Sequence, residues 1–159
     1  MSFDLIIDEN EAKAHVHRFP LWPRKWDEFD RRDFDYSWVL EKLDADSQGN
    51  IPNESGIYTL LVQPGIANHI ACSYLMYLGK SNSLRRRFGE YLNEAQRSSG
   101  RPLIHRFLNM YPDHSWFCYA IIPDHDLESY EDLLLEAYLP PKNKKFPARV
   151  RRIVEALRE

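Results

Sequence analysis

Two apolar, β-prone runs each carry a tyrosine beside a glycine: SGIYTLLVQ at residues 55–63 and SYLMYLGKS at 73–81. Tyr58 follows Gly56 in the first, Tyr77 precedes Gly79 in the second, and Lys80 comes directly after. Downstream stand Arg85, Arg86 and Arg87, then Tyr91, an acidic stretch with Glu131 and Glu136, and Asn143 in PPKN. A guanidinium fork fits phosphate oxygens, a single carboxylate suffices to hold a hard divalent cation that keeps its waters, and a phenol can hydrogen-bond or pass on a proton. Together these types suit chemistry at phosphorus, where water must be activated and charge on the phosphoryl oxygens neutralised. Each also has an ordinary use: a strand tyrosine packs, an arginine run solvates a helix, and a glutamate on an acidic helix faces water.

Position sorts the arginines. SNSLRRRFGEYLNEAQRSSG reads as a helix capped by Ser83, with Leu84, Phe88, Tyr91, Leu92 and Ala95 at helical spacing and Gly100 ending it. With Leu84 set at zero and about 100° per residue, Arg87 falls near ~300° and Tyr91 near ~340°, beside the apolar stripe, while Arg86 falls near ~200°, away from it. Arg85 lies on the other flank. A second helix is expected over 101–111, a third strand over 115–122 (SWFCYAII), and a helix with an acidic first turn over 126–139, stopped by Pro140 and Pro141. On this helix Leu127, Tyr130, Leu134 and Tyr138 mark one apolar face; Glu136 lies almost opposite it and Glu131 nearer to it. A terminal helix follows Pro147. The order ββααβαα gives an α+β domain with a small, mostly antiparallel three-stranded sheet and helices packed on it.

The N-terminal third differs in character. Residues 1–55 carry 7 Lys/Arg against 13 Asp/Glu, and residues 56–159 carry 14 against 11. RFPLWPRKWDEF suggests an irregular segment anchored by Phe19, Trp22, Trp26 and Phe29. DYSWVLEKL, 35–43, suggests a short helix capped by Asp33 or Asp35, and the turn-rich DADSQGNIPNESG makes the best boundary. We therefore expect an acidic, aromatic-rich extension over 1–48 and the main domain over 49–159. No apolar run approaches the ~20 residues of a membrane span, and the acidic N-terminus does not read as a signal peptide. Cys72 and Cys118 sit in strand-like stretches and read as buried thiols of a cytoplasmic protein, without zinc-ligand spacing; His15 and His17 make one exposed His-x-His pair and the other four histidines are scattered.

SGIY followed by YLGKS, a helical arginine, a helical glutamate and Pro-x-x-Asn resembles the GIY-YIG nuclease family, over about residues 54–145, with YLG as a mild variant. The resemblance implies the GIY-YIG fold and a DNA endonuclease that uses one divalent metal, Mg²⁺ or Mn²⁺. It makes Tyr58 and Tyr77 the paired tyrosines, Gly56 and Gly79 the supporting glycines, Lys80 a phosphate or water contact, and Arg87 the residue that neutralises the phosphate. Tyr91 matches a histidine-or-tyrosine position, Glu136 the metal-binding glutamate with Glu131 in reserve, and Asn143 the late asparagine that fixes the loop. Tyr58 is expected to activate or orient water, with a pKa lowered by metal and cations.

Two spacings depart from the family. Tyr58 and Tyr77 are further apart than in many members, which enlarges the loop between their strands, and Glu136 lies unusually close to Asn143. Phosphate contacts are expected from Arg85, Arg97, Arg101 and Arg106 and from Lys142, Lys144, Lys145 and Arg149 in the basic stretch PKNKKFPARVRR. The expected partners are DNA and, through the N-terminal extension, a second copy or another protein. A domain with the family's scaffold that binds nucleic acid without cutting it is the alternative.

Overall fold

The computed structural model describes residues 5–30, 33–66, 69, 71–97 and 100–159. Helices α1 (Leu5–Ala14) and α2 (Pro23–Asp30) precede strand β1 (Val39–Lys42) and a single 3₁₀ turn at Gln48–Asn50. Strands β2 (Gly56–Val62) and β3 (Tyr74–Ser81), helices α3 (Leu84–Gln96) and α4 (Pro102–Met110), strand β4 (Ser115–Ile121), and helices α5 (Asp124–Tyr138) and α6 (Ala148–Arg158) complete the order. The α+β class is as expected. The sheet, however, has four strands rather than three, in the order β1-β4-β2-β3, and every pairing is antiparallel.

Local signals explain most boundaries. Ser83 caps α3, its hydroxyl accepting from the Arg86 backbone N–H at 3.3 Å, which satisfies a donor that the first turn leaves free. Pro102 opens α4 in the first turn, where its missing N–H costs nothing. Leu139 takes a left-handed conformation (φ 45°) after α5, and Pro140 and Pro141 then carry the chain back toward β3.

Two expectations about the N-terminal third are corrected. Residues 35–43 do not form a helix: Val39 to Lys42 pair with Tyr119 to Trp116 of β4, and sheet pairing overrides a helix-like local pattern. Within RFPLWPRKWDEF, expected to be irregular, residues 23–29 belong to helix α2, and the unassigned residues 5–14 form α1. The segment before residue 49 thus supplies one edge strand of the sheet and a helix lying on α5. Trp26 donates its indole N–H to Ala137 O at 2.9 Å, Tyr36 bonds Asp126 at 2.8 Å, and Phe34 sits among Phe29, Tyr36, Trp38 and Tyr130. Both cysteines are free thiols and half-buried rather than fully buried, and Cys72 precedes β3. No helix among the described residues is long and apolar enough to cross a membrane.

The sheet divides two cores. On one face Tyr58, Leu60, Met76 and Phe117 meet Phe88 and Tyr91 of α3 and Phe107 and Leu108 of α4. On the other, Ile57, Leu78, Ala120 and Ile122 meet Leu127, Leu134 and Leu135 of α5 and Val150 and Val154 of α6. Removing residues 1–48 deletes β1 and exposes the back of α5. We expect that truncate to lose its cooperative thermal transition; a truncate that melts as sharply and as high as the full chain would make the N-terminal segment dispensable.

Candidate active site

β3 is the second edge of the sheet, so its outward backbone has no strand beside it. The chain beyond α5 covers that edge. Lys142 N–H donates to Met76 O at 2.9 Å, and the buried Asn143 side chain takes both groups of Leu78: its Oδ1 accepts from Leu78 N–H at 2.9 Å and its Nδ2 donates to Leu78 O at 2.7 Å. One amide thus replaces a missing strand at that point, which satisfies the exposed edge and fixes the loop 140–147 against it.

Opposite this clamp the pairing slips. Leu60 faces Tyr77 and Leu61 faces Leu75, leaving Met76 as an extra residue. Such a bulge re-aims side chains, and here Met76 and Tyr77 both turn to the α3/α4 core while Leu78 enters the α5/α6 core. Lys80 reaches α5, its Nζ 2.8 Å from Glu131 Oε2. Candidate residues therefore stand on both faces of one edge strand. An open groove of about 610 Å³ runs along it, lined by Tyr77, Glu131, Asp132 and Asn143 and flanked by Arg101, Lys142, Lys144, Lys145 and Arg151.

The tyrosines form a buried stack. Tyr58 faces Gly79 across the β2–β3 ladder, and a Cβ on Gly79 would come within 2.6 Å of Tyr58 Oη and 2.8 Å of its Cζ. Glycine is required there because the phenol ring of the GIY motif occupies the side-chain space of the YLG motif. Gly56 is equally confined, since its Cβ would meet Ala120 O at 2.3 Å. The Tyr58 ring stacks on Phe117 at 5.0 Å, lies 6.4 Å from the Tyr77 ring, and bonds Tyr91 hydroxyl to hydroxyl at 2.8 Å. Burial, followed by the neighbouring tyrosines, pushes the Tyr58 phenol well above its ordinary pKa, and burial does the same for Tyr91. A lowered Tyr58 pKa is the expectation beside a metal; in the protein alone burial acts the other way, and Tyr58 and Tyr91 are buried, hydrogen-bonded phenols. Tyr77 is the member of the trio that reaches the groove.

Arg87 stands beside this stack, close enough for its charge to act on Tyr58 and Tyr91. Its Nη1 donates to Glu90 at 2.7 Å, and its buried Nε has no acceptor among the described residues. A permanently charged donor without an acceptor among the described residues suits an oxyanion, and Arg87 itself lies behind the groove lining.

Glu136, expected from the resemblance to hold the metal, does not line the groove. It lies on α5 but faces away from the groove, 4% exposed, with Lys25 of α2 at 3.4 Å from Oε2 and Arg149 of α6 at 3.0 Å from Oε1. Both carboxylate oxygens are taken by cations from two other elements. Glu131, five residues earlier and so about 140° around the helix, is the carboxylate that lines the groove. The signals were present: Glu131 is nearer the apolar stripe, and it stands twelve residues before Asn143, which removes the short interval noted above. Of the expected phosphate contacts, Arg101, Lys142, Lys144 and Lys145 flank the groove, while Arg97 and Arg106 are exposed. Arg85 is tethered to Ile51 O at 2.7 Å and Arg149 to Glu136. Arg151, not singled out from the sequence, joins the groove. Among the described residues no three His, Cys, Asp or Glu side chains cluster as a metal site, so a cation here would be held by one carboxylate and water, as Mg²⁺ tolerates.

Comparisons with known proteins add one similarity. No family model and no curated protein matches the chain. One solved structure is similar: a point mutant of the GIY-YIG N-terminal endonuclease domain of UvrC from Thermotoga maritima, bound to its catalytic divalent cation. It is 18% identical, with a TM-score of 0.44, covering 63% of this chain and 93% of that one.

The Gly79–Tyr58 contact makes a stability prediction. Gly79→Ala overpacks a site whose ring is pinned by Phe117 and Tyr91, and should cost about 1–3 kcal/mol. Tyr58→Phe removes one hydrogen bond and should cost about 1 kcal/mol. In urea denaturation the double variant should be less destabilised than the sum, because losing Oη relieves the closest contact; additive costs would show that the two residues do not compete for this space.

Proposed function

We propose that the protein is a divalent-metal-dependent DNA endonuclease whose active site lies along the β3 edge, with Glu131 rather than Glu136 as the metal ligand. The observation that carries this reading is the groove itself. It brings Tyr77 of β3 and Glu131 of α5, the carboxylate that Lys80 pairs with, into one open channel with basic flanks. The GIY and YLG motifs, Arg87 and Asn143 support it as a set.

A divalent cation bound at Glu131 would supply charge neutralisation and a more acidic water. The chain's own residues do the rest. Arg87, its Nε without an acceptor among the described residues and its Nη1 fixed by Glu90, receives a non-bridging phosphate oxygen. Tyr77 is the phenol that orients or relays a proton from the attacking water, since it alone of the three tyrosines borders the groove. Tyr58 and Tyr91 act behind it as a neutral pair that holds the ring stack and Arg87 in place. Arg101, Lys142, Lys144 and Lys145 track the DNA backbone without reading bases.

Purified protein should nick supercoiled plasmid or a cruciform with Mg²⁺ or Mn²⁺ and not with EDTA. Glu131→Gln should slow cutting by roughly 100-fold or more while DNA binding persists. Glu136→Gln should lower thermal stability and leave most of the cutting activity of the folded fraction. Glu131→Gln cutting at the wild-type rate would refute the assignment. The Lys80 ammonium on Glu131 favours a second reading, a DNA-binding domain that does not cut; its mark is tight binding without metal-dependent cleavage by the wild type.

A further inference from the structure

Two of the α5 carboxylates, Glu136 and Glu131, are neutralised in different ways. Glu136 is closed: two cations from separate elements hold its two oxygens, and its side chain is 4% exposed. Glu131 is open. Its cation is Lys80, at 2.8 Å, and the two side chains are 19% and 37% exposed. Lys80 is a point charge on a flexible four-carbon stem, paired with a residue that lines the groove, unlike the planar Arg149 on the closed pair. Glu128 and Asp132 add negative charge around the Lys80 ammonium. Without that ammonium, the carboxylates of this helix would turn a repulsive field toward an incoming phosphate.

We propose that Lys80 is a resident cation on the metal carboxylate, displaced when a divalent ion binds Glu131 and then available to the DNA phosphate. The inference rests on Glu131 being the metal ligand. Two cations compete for one carboxylate, so the lysine weakens metal binding in the free protein while it keeps the groove acceptable to DNA. Metal binding and DNA binding then assist each other: the ion frees the ammonium for the phosphate, and a phosphate that draws the ammonium away frees the carboxylate. Such coupling is reciprocal by linkage.

This gives Lys80→Met effects of opposite sign, which a lysine that merely supports the fold would not show. In Mn²⁺ titrations followed by electron paramagnetic resonance at low ionic strength, Lys80→Met should bind Mn²⁺ about three- to tenfold more tightly than wild type, and the gap should shrink with salt. In EDTA the same variant should bind a short DNA duplex several-fold more weakly. Lys80→Gln should behave alike. In the wild type, the Lys80 side-chain NMR signal should move on Mg²⁺ addition, and this movement should vanish in Glu131→Gln. If Glu131→Gln loses Mn²⁺ binding while both Lys80 variants bind it no more tightly than wild type, the exchange is wrong and the metal assignment stands. If Glu131→Gln binds Mn²⁺ like wild type, the metal assignment falls, and the exchange with it.

Discussion

β3 borders the sheet, and a border strand presents both of its faces and one bare line of backbone groups. The architecture uses all three. The bare line is taken by Asn143 and Lys142, so the loop after α5 is fastened to the strand at Met76 and Leu78. One face carries Tyr77 into the aromatic stack, and the other sends Lys80 to α5. A central strand could not serve in this way, because neighbours would cover the groove. The bulge at Met76 is part of the same device: by adding one residue it lets the consecutive Met76 and Tyr77 face the same core before alternation resumes with Leu78 in the other.

The aromatic stack explains why the two glycine-bearing motifs occur together. Tyr58 and Gly79 are cross-strand partners, and the ring of one fills the space left by the missing side chain of the other. The motifs are thus two halves of one packing unit, with Phe117 beneath and Tyr91 beside it. Burial that locks Tyr58 in place also keeps its phenol protonated. A group held this firmly is suited to positioning, and the more exposed Tyr77 is suited to contact with water. The division of labour follows from desolvation, which penalises the charged form of whichever phenol lies deeper.

Much of this was legible in the sequence, and what was not has definite physical causes. Ser83 as a cap, Pro102 at a helix start and the strand runs around GIY and YLG act locally, and the expected elements fall within a few residues of those observed. β1 was missed because a four-residue strand is specified by its partner β4, not by its own pattern. The helices of the first thirty residues have few apolar positions in register, and α2 is held by tertiary contacts such as Trp26 with Ala137. The choice between Glu136 and Glu131 turns on helical phase. Motif order pointed to the glutamate in LLLE, yet α5 is covered on two sides, and the residue that looks most polar by sequence is enclosed by Lys25 and Arg149.

That enclosure bears on how the N-terminal segment should be understood. A buried carboxylate is tolerable only when its charge is met by cations and its oxygens are bonded. Lys25 comes from α2 and Arg149 from α6, so Glu136 is the point where the beginning and end of the chain are joined through the back of α5. The opposite side of the same helix carries Glu131 toward the groove. Because α5 is a rigid element, fixing its back fixes the azimuth of its front, and Glu131 meets Lys80 only if that azimuth is right. The acidic, aromatic first third of the chain therefore reaches the candidate site through helix orientation: it supplies the outer strand on one side of the sheet and sets the rotation of the helix that faces the other.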